Sequence, residues 1–170
     1  VLDTAAGAIS GAAGAYIRQK KTGGKVVGIT SLGTSQQKFV ETLKPALEQR
    51  GYEVAVFHTV GMGGKAFEEA VSAGLIDVAL DLSLVELVDF VNGGATSSTG
   101  RDRLKAAARK GIPQIVAAGG IGHFFWFSGK PLPPEFQDRK HHRHNQLVTI
   151  VVAGKDDKIK VGELVAERLN

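Results

Sequence analysis

Lys25-Val26-Val27-Gly28-Ile29-Thr30 runs into Ser31-Leu32-Gly33-Thr34-Ser35, and these residues decide the fold. The first six form a short apolar run bounded by Gly23-Gly24 on one side and a glycine turn on the other, the pattern of a buried strand. The turn leads into Ser35 to Arg50, an amphipathic helix with Phe39, Leu43, Ala46 and Leu47 on one face. Pro45 inside that helix is expected to kink it or to start a new turn. A strand apolar on both faces, followed at once by a helix, belongs to a parallel sheet covered on both sides.

Outward from this unit the alternation repeats. Tyr52 to His58 reads as a second strand, Val60 to Gly64 as a loop, and Lys65 to Ala73 as a helix closed by Gly74. Ile76 to Leu80 reads as a third strand, and Ser83 as the cap of a short helix containing Leu84, Leu87 and Val88. A Gly/Ser/Thr-rich loop at Asn92 to Gly100 precedes a basic helix, Arg101 to Lys110, and a fourth strand, Ile112 to Ala117. Gly119 to Asp138 reads as a long irregular stretch with Phe124-Phe125-Trp126-Phe127 as a hydrophobic flap. Leu147 to Val152 reads as a fifth strand, and Lys155 to Leu169 as a last helix with Ile159, Leu164, Val165 and Leu169 facing inward. The expected fold is a three-layer, doubly wound α/β domain of Rossmann or flavodoxin type, with five parallel strands in the order 2-1-3-4-5. Residues 25–170 form that domain. Residues 1–24, rich in Ala and Gly, read as a connecting or interface helix that gains close backbone packing from a neighbour.

Composition narrows the function. In 170 residues, 43% hydrophobic and 22% charged, there is enough apolar material for a core without a staple. No apolar run reaches the roughly 18 residues of a membrane helix. With no Cys there is no disulfide framework, thiolate nucleophile or cysteine metal site. Charge is uneven: residues 1–95 hold 8 Lys/Arg against 10 Asp/Glu, and residues 96–170 hold 13 against 7. A basic half attracts phosphate-bearing ligands. Nucleic acid is the weaker reading, because base-stacking aromatics are sparse. The 22 glycines gather at segment ends, where backbone turns or approaches a ligand.

In a doubly wound sheet, ligands bind outside the carboxyl ends of the strands. The candidates there are Ser31, Gly33, Thr34 and Ser35 after the first strand, and Gly61, Gly63, Gly64 and Lys65 after the second. Asp81 and Ser83 follow the third, Gly119 and Gly120 follow the fourth, and Arg143, His144 and Asn145 precede the fifth. The glycines before Lys65 lead into a helix N-terminus, where backbone N–H groups and the helix dipole favour an anion, ATP or another phosphate-bearing molecule. Arg143 is expected opposite them as a bidentate partner of that anion. Neither a P-loop nor a dinucleotide fingerprint is present. His58 and His144 are the weak candidates for acid/base catalysis. His141, His142 and His144 do not read as a metal site, because Lys140 and Arg143 repel a cation. Three functions stay open: a phosphate- or nucleotide-binding domain, an enzyme with a His acid/base beside the glycine loop, and an oligomerisation module.

Phe57-His58-Thr59-Val60-Gly61-Met62-Gly63-Gly64-Lys65-Ala66-Phe67-Glu68 and Gly74-Leu75-Ile76-Asp77-Val78-Ala79-Leu80-Asp81-Leu82 resemble the signatures of one family. Asp102-Arg103-Leu104, Gly111-Ile112-Pro113-Gln114 and Arg143-His144-Asn145 follow in that family's order, as does the opening Ala5-Ala6-Gly7-Ala8-Ile9. The family is the uncharacterised ATP-binding-domain family typified by the tomato inhibitor of tomato mosaic virus RNA replication. The resemblance implies the second of two Rossmann-like halves, a cytoplasmic location, nucleotide binding and dimerisation, with the missing N-terminal half as a partner. It implies no established reaction. After the fourth strand, Ala118-Gly119-Gly120-Ile121-Gly122-His123-Phe124 lacks the acidic and amide side chains usual in the family.

Overall fold

The computed structural model describes residues 23–169, together with Asp3, Thr4, Ala6, Gly7 and Ser10. Most of the expected Ala/Gly-rich helix therefore lies outside the described residues. Four strands, β1 (Val26–Ser31), β2 (Glu53–His58), β3 (Val78–Asp81) and β4 (Gln114–Val116), form a parallel sheet in the order β2-β1-β3-β4. Ser31 pairs with His58 and Thr30 with Asp81, so the carboxyl ends of three strands lie side by side.

The helices distribute unevenly over the two faces. Helix α1 (Gly33–Glu48), which continues through Pro45, turns Val40, Leu43 and Leu47 onto Val27, Ile29 and Leu80. Phe39, expected on this buried face, is instead 67% exposed. On the other face, α2 (Met62–Ser72) and α5 (Lys105–Lys110) pack Phe67, Val71, Ala106 and Ala107 against Ala79. Gly28 is obligatory there, since a Cβ would strike Ile76 and Phe67. Between these helices lie α3 (Val85–Asn92) and the single turn α4 (Ser97–Gly100). The last helix, α6 (Lys155–Leu169), buries Val161 against Leu84, Leu87 and Val88. Ile159 and Leu169 of that helix, expected inward, are about half exposed.

The expected fifth parallel strand is not part of this sheet. Strand β7 (Val148–Val152) pairs antiparallel with β5 (His123–Phe127) and β6 (His141–Arg143), in a separate sheet of order β5-β7-β6. The stretch read as an irregular flap thus holds a strand and, at Pro134–Phe136, a turn of 3-10 helix. The physical reason is the alternation of Phe124-Phe125-Trp126 across the pleat. Phe124 and Val151 enter the core with α3 and α6, where Phe124 meets Phe136 edge to face at 4.9 Å. Phe125 points the other way, onto Leu32 and Val85, with Val60 beside them. The small sheet is thereby seated against the carboxyl-end loops of the large one.

Phe124 separates a flap from a structural strand. Fully buried, it should cost about 3–5 kcal/mol on replacement by Ala. Urea denaturation of Phe124→Ala checks this; a loss under about 0.5 kcal/mol is what an exposed flap would give.

Candidate functional site

The carboxyl ends of the parallel strands converge on one buried guanidinium. Arg103, fully buried, precedes α5 and reaches back under α2 and α3. Its Nη1 donates to Glu68 Oε1 at 2.8 Å, its Nη2 pairs with Asp81, and its Nε lies 3.0 Å from Glu86 Oε2. Phe67 covers it, with the guanidinium 5.4 Å from the ring centre. Three carboxylates around one cation leave an excess of negative charge in a dry place. Backbone amides share the load. Glu68 accepts from Leu104 at 2.7 Å and Ala106 at 2.9 Å, so it closes the N-terminus of α5. Leu104 takes a left-handed φ of 68° to make this possible. Asp81 accepts from Gln114 Nε2 at 2.7 Å and from Thr30 Oγ1 at 3.4 Å.

The glycine loop after β2 belongs to the same cluster. Gly61, with φ 83°, precedes α2 and donates its N–H to Glu86 Oε1 at 2.7 Å. A Cβ on Gly64 would collide with the Glu86 carboxylate, and one on Gly63 with the carbonyl of His58. The helix N-terminus that reads as an anion cradle thus receives an anion from within, the side chain of Glu86. Lys65 points away, 71% exposed, toward Glu69 at 3.8 Å.

Burial governs the protonation of these acids. Burial pushes Glu86 up to about 7, against the pull of Arg103 and of the Gly61 and Gly64 amides. Burial also raises Glu68, opposed by Arg103 and the two amides it caps. Burial alone would lower Arg103, but Asp81, Glu68 and Glu86 more than offset it and hold the guanidinium charged. Nearby, burial pushes Asp89 up to about 6, although it accepts bonds from the Thr96 amide and hydroxyl and from the Phe125 amide. Asp89 ties α3 to the small sheet.

The loop after β1 is different. Helix α1 begins at Gly33, φ 45°, with no acidic residue in its first turn, and the Leu32 N–H just before it donates to Gln36 Oε1 at 2.8 Å. Gly33 donates its N–H to Nδ1 of the exposed His58 at 3.3 Å. Ser31, Gly33 and His58 open onto a groove of about 520 Å3 that continues along α1 past Gln37 and Lys44. Thr34 and Ser35 lie in the first turn of α1; their side chains lie outside the described residues.

The remaining candidates scatter. Ser83 is buried, its amide bound to Thr30 Oγ1 at 3.2 Å and its hydroxyl without a hydrogen bond; α3 starts two residues later without a side-chain cap. Gly119 and Gly120 fold tightly over Gln36, Leu82 and Ser83, where any Cβ would crowd them. Arg143, His144 and Asn145 shape the β6–β7 hairpin. Arg143 Nε donates to the Asn145 carbonyl at 3.2 Å, the His144 amide to Val148 at 2.9 Å, and Asn145 Oδ1 accepts from Leu147 and Val148. Arg143, expected opposite Gly63 and Gly64, makes no described bond to that loop, because its strand belongs to the antiparallel sheet. No described bond joins His58 to His144. Among the described residues, no group of three or more His, Asp or Glu is placed to hold a metal ion, and no helix is long and apolar enough to cross a membrane.

Residues 24–170 match the model of the Uncharacterised protein family (UPF0261) C-terminal domain. The chain belongs to the UPF0261 family. A UPF0261 protein of Brucella suis is 36% identical over 169 residues, which cover 99% of this chain and 40% of that protein. A UPF0261 protein of Clostridium tetani is 36% identical over the whole chain and 42% of its own length. The ToMV resistance protein Tm-1(GCR237) of Solanum lycopersicum is 35% identical over 88% of this chain and 20% of that protein. The chain therefore spans about two fifths of the UPF0261 proteins of Brucella and Clostridium.

Within this UPF0261 domain, the ion cluster is what residue patterns leave unconnected. Glu86 and Asp89 stand three apart in the otherwise apolar Leu84-Val85-Glu86-Leu87-Val88-Asp89, and that spacing on a buried helix is the available signal. Two outcomes follow from the cluster. Arg103→Leu strands three carboxylates and should cost about 3–5 kcal/mol in urea denaturation. Glu86 binds a proton in the folded state between its unfolded value of 4.5 and about 7, so its contribution to stability is lost as pH rises through that window. The stability of Glu86→Gln relative to wild type should grow from pH 4.5 to 7, by on the order of 3 kcal/mol, and then level off. Parallel pH profiles of stability for the two proteins would mean that Glu86 titrates alike in the folded and unfolded states.

Proposed function

We propose that this domain binds a small phosphate-bearing molecule, ATP or a simpler phosphate, at the carboxyl ends of β1 and β2. The observation that carries the reading is the N-terminus of α1, which opens beside Ser31, Gly33 and His58 onto the groove. The start of a 16-residue helix attracts an anion through its backbone N–H groups and the helix dipole. The N-terminus of α2, by contrast, is supplied by Glu86 and has no vacancy for a second anion. Of the two glycine-bearing loops, the one after β1 is therefore the binding loop of this proposal. Gly33, Ser31 and His58 are its contact residues. The groove beyond, with Val40 and Val56 on its walls, offers an apolar surface for the rest of the ligand.

Calorimetric titration of inorganic phosphate and of ATP into the wild type and two variants tests this. His58→Ala should weaken binding, and His58→Glu, which adds a negative charge at the site, should weaken it at least tenfold, about 1.4 kcal/mol. Both should melt close to the wild type, because His58 is exposed. Equal affinities in the three proteins, or no heat at millimolar ligand, would remove the proposal.

A further inference from the structure

A four-stranded sheet spans about 14 Å between its outer strands, and one helix with its side chains is about 10–12 Å wide. Among the described residues, α1 is the one helix on the Ile29 face. It packs over β2 and β1, reaches Leu80 of β3 and leaves the β4 flank open. On the β4 flank, Ile115 is in register with Leu80, which is 8% exposed, yet Ile115 is 60% exposed. Ala117 follows two residues later on the same face. With Phe39, Leu82, Gln36 and the glycines after β4, it lines a mostly apolar cavity of about 310 Å3. Two large apolar side chains and an apolar hollow thus lie where a parallel sheet ordinarily has a second covering layer.

We infer that Phe39, Leu82, Ile115 and Ala117 form the docking face for the polypeptide that precedes this domain in the full-length protein. Two observations select this occupant. The match is to a C-terminal domain, and its Brucella and Clostridium relatives carry more than half of their length outside the matched region. The face is also small. Separate molecules that associate stably bury about 1,200–2,000 Å2 in total, far more than four side chains supply. A segment of the same polypeptide needs less, because tethering raises its effective concentration to the millimolar range.

The test compares the 170-residue chain with the polypeptide expressed from its complete reading frame. In hydrogen exchange, peptides covering residues 37–41 and 113–118 should be better protected in the longer polypeptide. Ile115→Glu and Phe39→Glu should lower the melting temperature of the longer polypeptide by at least about 3 °C more than that of the 170-residue chain. Leu147→Glu, at a residue that is 75% exposed on the hairpin, should show no such difference. Three outcomes overturn the inference: equal protection in the two polypeptides, a complete reading frame with nothing ahead of this domain, or a 170-residue chain that is a dimer by light scattering and becomes a monomer on Ile115→Glu. The last outcome would give the face to a second copy.

Discussion

One guanidinium holds the centre of this domain. Arg103 takes carboxylates from α2, from the end of β3 and from α3. Each of those elements packs apolar side chains elsewhere, but all three meet at Arg103, which is as fully buried as Asp81 and Glu86. A buried ion cluster of this kind does little for net stability against well-packed apolar residues of the same volume. What it does is penalise every arrangement in which one member is missing, because the others are then left charged and dry. Glu68 and Glu86 extend that penalty to the backbone, since each also closes the N-terminus of a helix.

The first half of the fold was legible because its signals are local. A buried strand, a glycine turn and a 3.6-residue period follow one another from Val26 to Ser72, and the structure keeps the same sequence of elements. The last third was not legible, because its decisive pairing is non-local. Phe124 finds Val151 across a hairpin excursion that contains two prolines in a row and a basic, exposed β6. Read strand by strand, β7 looks like one more buried parallel strand; only β5 on its edge makes it antiparallel. The ion cluster was hidden for the same reason. Arg103 lies 35 residues from Glu68 and 22 from Asp81, and a lone Arg at the end of a basic segment looks like surface.

The two glycine-bearing loops make the limits of local reading concrete. Both follow a strand at its carboxyl end, and both lead into a helix. After β2, the backbone curls around the side chain of Glu86, which comes from a different helix and fills the electropositive end of α2. After β1, the only polar neighbour described for Gly33 is His58, which is exposed. Nothing within either loop distinguishes the two cases. The difference comes from whether a third element brings an acid to the same place.

The contact between Gly64 and Glu86 also limits how this sequence can change. A larger residue at position 64 needs a shorter one at 86. A shorter residue at 86 withdraws the acceptor of the Gly61 amide and leaves the Nε of Arg103 facing no carboxylate. Replacing Arg103 in turn abandons Glu68 and Asp81. A change of side-chain length at 64 or 86, or loss of the guanidinium at 103, therefore disturbs the other two positions, so the three are coupled through one contact set.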